Sequence, residues 1–232
     1  MSPSLTPMSE HRSSDIAKRV GTGLCFIAFP LTFVFAFAVH PGLLHPRILS
    51  PAELILRAHQ NGLLQFAHVL VTLCTAVLVA VALHFMKLLD RASAGWAGLV
   101  GASLATLGAV MLAADKGALC LTMSALDTLP ESQFAMMMPG LLAMFSFKGW
   151  MVVVWGLLFL PVGFAIQTVA LLKTGAFPRR QGVLFLAGVL LVGFPDGAEI
   201  VNLTASVLMA AALVPYGMRM VADKLPRVAP QP

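Results

Sequence analysis

Apolar runs long enough to cross a bilayer recur through this sequence, and they restrict it to one kind of fold. The run VGTGLCFIAFPLTFVFAFAVH at 20–40 contains no Asp, Glu, Lys or Arg. A transmembrane helix needs about 20 such residues to cross a hydrocarbon core of ~30 Å. Because lipid cannot satisfy backbone polar groups, such a run crosses as a helix with its hydrogen bonds inside. The sequence therefore predicts an all-α, polytopic transmembrane helix bundle.

Composition agrees with this fold and excludes several functions. Charged residues make up 11% of the 232 positions, whereas soluble domains carry about 25%. The net charge of +5 comes from basic residues beside the apolar runs, where they orient helices, so no nucleic acid is expected as a partner. Cys25, Cys74 and Cys120 have no CxxC spacing, and we expect neither a metal nor a cofactor.

The ends of the apolar runs predict six spans. The last run, 182–220, is too long for one helix, but Pro195-Asp196-Gly197 would turn the chain between two short helices. The other four spans are expected over 20–40, about 62–86, about 95–114 (ending at Asp115-Lys116) and about 148–172.

Two capping signals predict short helices between the spans. Ser50-Pro51-Ala52-Glu53 is a capping box with proline at the first helical position, so a helix is expected over 51–60. Thr128-Leu129-Pro130-Glu131 repeats the pattern and predicts a second helix that ends near Pro139-Gly140. Both are expected to lie at the outer membrane interface.

Basic residues predict the orientation of the bundle. With the N-terminus in the cytoplasm, eleven basic residues face the cytoplasm and four face outward, in agreement with the positive-inside effect. The cytoplasmic residues are Arg12, Lys18, Arg19, Lys87, Arg91, Lys173, Arg179, Arg180, Arg219, Lys224 and Arg227; the outer ones are Arg47, Arg57, Lys116 and Lys148. We therefore expect a disordered cytoplasmic tail at 1–19, one transmembrane domain at 20–220 and a cytoplasmic tail at 221–232.

Ionisable residues reach one common depth when they are counted from the cytoplasmic end of each span. His40 lies 21 residues after Arg19, and Glu199 lies 20 residues before Arg219. The same outward-facing layer is expected to contain His45, His59, His68, Asp115, Lys116, Glu131, Lys148 and Asp196. Anchoring at the interface is the simplest explanation of such a layer.

Two features of this layer indicate more than anchoring. Glu199, Asn202 and Ser206 follow an i, i+3, i+7 pattern, and such a polar stripe must face the interior of a membrane bundle. His68 lies a turn or two inside its span. We therefore predict a polar pocket in the outward-facing leaflet. Its predicted catalytic residues are Glu199, His68 and Asp196, and its predicted ligand-binding residues are Asn202, Asp115, Lys148, His59 and Trp150.

The sequence determines the contacts between the residues of this layer less well than it determines their depth. The third and fourth spans are consecutive and antiparallel, which favours an ion pair between Asp115 and Lys148 with a structural role. A metal site built from His40, His45 and His59 with Asp196 or Glu199 stays open, although no HxxxH or HExxH spacing supports it.

Glycines recur on the third and fourth spans. They are Gly98, Gly101 and Gly108 on one span and Gly149, Gly156 and Gly163 on the other. Small residues let helix backbones approach closely in membranes. We expect close packing of these two spans, which says nothing about substrate.

The C-terminal half resembles a known protein family in its pattern of hydropathy. The stretch from GWMVVVWGLLFLPVGFAIQTVALLKTGAFPRRQGVLFLAGVLLVGF to ALVPYGMRM combines a long span, a basic loop with proline and glycine, and a short final hairpin. Over about 80 residues it is similar to a family of small bacterial six-helix membrane proteins, domain of unknown function 4386. The resemblance implies six spans and the bacterial inner membrane, and it supplies no activity or catalytic residue.

Three functions remain open at this point. The first is an enzyme or binding protein for a small lipophilic molecule, with His68 and Glu199 as an acid–base pair and membrane lipid as its surroundings. The second is a small-solute or proton-coupled transporter. Against it, the inner half of the bundle has no ionisable residue apart from His84, near the cytoplasmic end of its span, and the sequence shows no internal repeat. The third is a non-catalytic subunit that meets a partner membrane subunit or a second copy of itself.

Overall fold

The computed structural model describes residues 7–44, 49–145, 148–192 and 199–224, and these ranges are helical with short connections. The elements in chain order are α1 (Pro7–Ala38), α2 (Pro51–Ala58), α3 (Gly62–Arg91), α4 (Gly95–Leu126), α5 (Glu131–Phe145), a 3₁₀ segment (Gly149–Leu158), α6 (Phe159–Thr174), α7 (Arg179–Leu191) and α8 (Glu199–Val221). The described ranges contain no β-strand, so the all-α prediction is confirmed for them.

Five helical segments in the described part of the chain are long and apolar enough to cross a membrane. They are Ser13–Ala38, Gly62–Arg91, Gly95–Leu126, Trp155–Thr174 and Glu199–Val221. Large apolar side chains such as Leu73 and Val110 are exposed on their outer surfaces, as contact with lipid requires. The 13 residues of α7 reach only ~20 Å at ~1.5 Å per residue, which is less than the ~30 Å hydrocarbon core, so the sixth span stays a prediction.

The first and last spans pack side by side in opposite directions. His40, after α1, lies beside Glu199 at the start of α8, and Arg19 lies beside Asp223 at the other end. We call these two ends of the bundle the polar end (His40 and Glu199) and the basic end (Arg19 and Asp223). Helices α3, α4 and α6 complete the bundle, and α7 packs between α6 and α8.

Aromatic side chains fill the centre of the bundle. The rings of Phe26 and Phe85 lie 5.4 Å apart, Phe185 lies 5.7 Å from Phe85, and all three are fully buried. In lipid, helices associate through van der Waals packing rather than the hydrophobic effect. Aromatic pairs of this kind add about 0.5–1.5 kcal/mol each, so they hold α1, α3 and α7 together.

Glycines bring α4 and α6 into backbone contact, as their recurrence predicts. A Cβ atom on Gly108 would lie 2.2 Å from the backbone nitrogen of Leu160, and one on Gly163 would lie 2.4 Å from that of Ala105. The fully buried Gln167 joins α6 to two more helices, because its Nε2 donates to the carbonyls of Ala82 (2.9 Å) and Gly98 (3.2 Å).

The two capping predictions have different outcomes. Ser50 is the N-cap of α2, its side chain accepts from the amide of Glu53, and the Glu53 carboxylate accepts from the Ser50 amide, so the first capping box is confirmed. The second predicted helix is present as α5, but the Thr128 hydroxyl donates to the carbonyl of Ala125 in the preceding helix and does not cap it. Helix α5 begins at Glu131 and continues through Pro139 to Phe145, beyond the predicted end.

Two helices are longer than the sequence predicts. Residues 7–19, expected as a disordered tail, form the first turns of α1. Helix α4 continues past Asp115 and Lys116 to Leu126. These two side chains pair with each other, so they do not require the helix to end at the membrane surface.

The final apolar stretch is divided into two helices, as its length predicts. Helix α7 ends at Leu191 and α8 begins at Glu199. The residues assigned to the turn, Pro195-Asp196-Gly197, lie outside the described residues. One unbroken helix through 182–220 is therefore excluded.

Candidate functional site

A cavity of about 110 Å³ lies at the polar end, beneath α2 and α5. Its roof is apolar and includes Leu54 and Ile55 of α2 and Leu141 and Met144 of α5. Its other walls come from α3, α4 and the two ends that meet at His40 and Glu199. The polar residues that line it are His40, Gln65, His68, Asp115, Lys116, Thr122 and Glu199.

One contact between ionisable groups in the cavity joins His40 and Glu199. His40 Nδ1 lies 3.5 Å from Glu199 Oε1, and the two side chains are only 16% and 6% exposed. Glu199 is the first residue of α8, where the helix dipole favours a negative charge, and its burial opposes one. A histidine beside this carboxylate stabilises the charge and gives the pair a proton to exchange.

Asp115 forms a different ion pair from the predicted one. Its Oδ2 lies 3.1 Å from Lys116 Nζ, and both side chains line the cavity. Lys148 is exposed as the N-cap of the 3₁₀ segment, so the predicted Asp115–Lys148 pair is wrong. The reason is the helix register: Gly108 lies against Leu160, and continuing that antiparallel alignment carries Lys148 past Asp115 by about a turn or more.

The remaining predicted residues of α3 and α8 separate into two groups. His68 lines the cavity, and its charged neighbours there are Lys116 and His40. Asn202 and Ser206 are buried inside the bundle, as a polar stripe on a membrane helix requires, but they do not line the cavity. The Ser206 hydroxyl donates to the carbonyl of Asn202 within α8.

His59 lies next to the cavity, at the junction that holds its roof. Its Nδ1 lies 2.6 Å from Asp127 Oδ1, and its Nε2 lies 3.1 Å from Glu131 Oε2. Its ring stacks on Phe134 with centroids 3.7 Å apart. His59 follows α2, while its partners belong to the start of α5 and the turn before it. We call His59, Asp127, Glu131 and Phe134 the roof junction.

Asp127 accepts more than one hydrogen bond in the roof junction. Besides His59, the backbone amide of Gln60 donates to Asp127 Oδ2 at 3.1 Å, and Gln65 Nε2 donates to the same oxygen. Ser124 Oγ in turn donates to Gln65 Oε1 at 3.0 Å. Gln65 also lines the cavity, so this network joins the roof to the polar wall of α3.

Both ring nitrogens of His59 face carboxylates, which favours the doubly protonated ring. Burial lowers the pKa of His59, but the hydrogen bonds to Glu131 and Asp127 and their negative charges raise it more. The net pKa lies above the ordinary value of 6.5. The roof junction therefore stays an ionic contact to a higher pH than an ordinary histidine would allow.

Two predicted site residues cannot be assigned a side-chain position. Asp196 lies outside the described residues, and Trp150 is described only as backbone of the 3₁₀ segment. The metal site left open by the sequence includes His45 and Asp196, which both lie in undescribed segments. Among the described residues, no group of three or more His, Cys, Asp or Glu side chains is arranged to hold a metal ion.

Sequence reasoning left some residues out of the predicted site. His40 and Lys116 were placed in the outward-facing layer by their depth but not in the site, although both line the cavity. The sequence does not predict Asp127 as a site residue, because a carboxylate just after a span is typical of an ordinary helix end. Its position four residues before Glu131 was the available signal for a shared acidic site.

The chain matches no protein family, no curated protein and no solved structure. Its function therefore has to be inferred from the geometry of the polar end.

Proposed function

We propose that this protein binds a small lipophilic molecule in the cavity at the polar end and presents to it the His40–Glu199 pair as an acid–base group. The observation that carries the proposal is the division of the cavity into an apolar roof and a polar wall. An apolar body under Ile55 and Met144 leaves a polar group free to contact His68 and Glu199. Ligand sites are commonly built in this way, with few polar groups in an apolar enclosure.

The volume of the cavity limits the size of the group that it accepts. An apolar cavity of about 150 Å³ holds benzene, so the 110 Å³ at the polar end suits one small ring or a short branched chain. A longer ligand would leave its remaining chain in the membrane. This size favours the reacting or recognised end of a lipophilic molecule over a whole lipid.

The chemistry available in the cavity is proton transfer. His40 and Glu199 together retain a proton that either group can give to a bound molecule, and His68 lies on the same cavity wall as an acceptor. The Asp115–Lys116 pair adds no net charge, so it tunes the field without trapping an ion. Isomerisation or cyclisation of a lipophilic substrate would use these groups, and simple binding would use them as hydrogen-bond partners.

A transporter fits the described geometry less well. A carrier needs polar groups near the middle of the membrane between its two openings. Here the buried side chains midway between the two ends, such as Phe29, Leu78 and Met209, are apolar. The role of a non-catalytic subunit, or of one copy in a homo-oligomer, stays the alternative that binding experiments must separate from the proposal.

We also propose six crossings with both termini in the cytoplasm. Helix α7 starts where α6 ends, since Gly182 lies against Leu172, and it leads toward Glu199 at the polar end. The chain from the start of α7 to Glu199 must therefore connect the two ends of the bundle, although α7 itself is short. The positive-inside effect assigns the basic end to the cytoplasm, which leaves α2 and α5 at the outer interface. The resemblance of the C-terminal half favours the bacterial inner membrane.

Cysteine labelling tests this topology. In a chain whose three native cysteines are replaced by alanine, Ser50→Cys and Ser132→Cys should react with a membrane-impermeant maleimide in intact cells, and Thr174→Cys should react only after lysis. All three positions are exposed, so access is decided by the membrane alone. Labelling of Thr174→Cys from outside intact cells would contradict the proposed orientation.

A lipophilic carbodiimide tests the proposed binding site. Dicyclohexylcarbodiimide is an uncharged, membrane-soluble reagent that couples to protonated carboxyl groups. We expect it to modify Glu199, because the cavity admits a small ring, Glu199 lies in its wall, and the proton that we propose it shares with His40 leaves its carboxyl group protonated part of the time. Peptide mass spectrometry of the membrane-embedded protein locates the adduct, and Glu199→Gln, which should fold normally, must lack it.

Two variants of α4 supply the matched control. Ala118→Phe places a ring in the cavity and should prevent modification of Glu199, while Val110→Phe adds the same ring to an exposed surface of the same helix and should leave it unchanged. If both variants react like the wild type, or if Glu199 is never modified, a small lipophilic molecule does not enter this cavity and the proposal fails.

A further inference from the structure

A second cavity opens at the basic end, far from the site proposed above. It has a volume of about 280 Å³ and lies among the ends of α1, α3 and α8. Met220 forms part of its wall, and its polar lining consists of Lys18, Arg19, Thr22, His84, Lys87 and Asp223. The proposed acid–base chemistry uses none of these residues, and of them His84 also packs against Phe26 and Tyr216 inside the bundle.

The charges in this cavity are unbalanced. Among the described residues that line it, Lys18, Arg19 and Lys87 face one carboxylate, that of Asp223, which contacts Arg19. Asp223 adopts a left-handed backbone conformation (φ 55°) that turns the chain back toward Arg19 after α8. Like charges held together repel each other, so a bound anion would stabilise this arrangement.

A hydrogen-bond donor in the same cavity is left without an acceptor. Arg19 Nε is buried and has no hydrogen-bond partner among the described residues, although its guanidinium contacts Asp223 through another nitrogen. Buried donors are rarely left unsatisfied in proteins. The Thr22 hydroxyl lies in the same lining as a further donor.

Orientation of helices by basic residues does not account for this convergence. Lys173 lies near the end of α6, on the same side of the bundle, and is exposed like Lys18 and Lys87, but it does not line the cavity. Lys18 and Lys87 come from different helices and share one cavity.

We propose that the cavity at the basic end binds a phosphate group. Phosphate oxygens accept hydrogen bonds from arginine, lysine and hydroxyl groups. The negative charge of a phosphodiester also offsets part of the excess positive charge of the lining. Basic pockets between helices on the cytoplasmic side are suited to the head groups of anionic lipids. The two sources with this chemistry are the head group of an anionic phospholipid and free phosphate.

Native mass spectrometry of the detergent-solubilised full chain tests the proposal. It is titrated with phosphatidylglycerol and, separately, with phosphatidylcholine of the same acyl chains. We expect phosphatidylglycerol to bind more tightly, and Lys87→Gln to weaken it about fivefold, as expected for one lysine beside an anionic head group. The double variant Lys18→Gln/Lys87→Gln should weaken it about 25-fold if the two contacts are independent. Lys173→Gln is the matched control and should bind like the wild type.

A competition with inorganic phosphate separates the two sources. If the site takes a lipid, phosphatidylglycerol stays bound when millimolar phosphate is added. If it takes free phosphate, phosphate displaces the lipid and stabilises the protein against heating, and Lys87→Gln removes that stabilisation. The proposal is overturned if neither phosphatidylglycerol nor phosphate is preferred over phosphatidylcholine, or if Lys173→Gln weakens binding as much as Lys87→Gln does.

Discussion

Gly108→Val should destabilise the bundle by ~3 kcal/mol or more, at the upper end of what overpacking causes in a close-packed core. A Cβ atom at this position would lie 2.2 Å from the backbone nitrogen and 2.6 Å from the Cα of Leu160. Both are backbone atoms, so no side-chain rotation relieves the clash, and α4 and α6 must separate. The thermal unfolding temperature in detergent, followed by size-exclusion chromatography, measures the effect.

Gly21→Val is the matched control for this prediction. Gly21 lies in α1, within a helix suited to cross the membrane, and a Cβ there meets nothing within 4 Å. The same substitution should therefore change stability by only about 0.5 kcal/mol, the usual range for surface positions. Equal unfolding temperatures for Gly108→Val and the wild type would show that α4 and α6 do not pack in backbone contact.

Helix packing at these glycines was predictable because it follows from composition and spacing alone. The depth of the ionisable residues was predictable for a similar reason, since each residue of a helix rises by ~1.5 Å whatever surrounds it. Counting along the spans therefore brought His68, Asp115 and Glu199 to one level, and the structure places all three around one cavity.

Pairing within that level was not predictable. Whether Asp115 meets Lys116 or Lys148 depends on the rotation and register of α4 against the 3₁₀ segment, and no single-helix pattern contains that information. The same limit applies to His59, whose partner Asp127 is 68 residues away in the chain. A prediction from hydropathy also ends the third span at Asp115, because charged residues usually mark the membrane surface. The helix continues here because the two charges of the pair neutralise each other.

Asp127→Ala should release the roof of the polar-end cavity. It removes the acceptor for His59 Nδ1, for the Gln60 amide and for Gln65 Nε2. Hydrogen bonds to charged groups contribute about 1.5–3 kcal/mol. A loss of ~2 kcal/mol from local opening would speed hydrogen exchange of the α2 amides about 30-fold, as measured by mass spectrometry of peptides from this helix.

Glu131→Ala is the matched control in the roof junction. Glu131 also contacts His59, but its side chain is 73% exposed, whereas that of Asp127 is 15% exposed. An exposed ion pair contributes at most about 1 kcal/mol, so exchange in α2 should accelerate much less than with Asp127→Ala. Equal acceleration in the two variants would mean that the roof is not held by the buried carboxylate.

The charge of His59 makes the roof sensitive to pH, and the direction follows from its raised pKa. A group whose pKa is higher in the folded state contributes stability that is complete below the ordinary value of 6.5 and is lost as the pH rises through the raised value. Protection of the α2 amides, corrected for the intrinsic pH dependence of exchange, should therefore be high at pH 6 and fall in alkaline solution. In His59→Gln this fall should be absent, because glutamine keeps a hydrogen-bond donor but does not titrate. A fall of the same size in His59→Gln would assign the pH dependence to another group and leave the roof junction with packing alone.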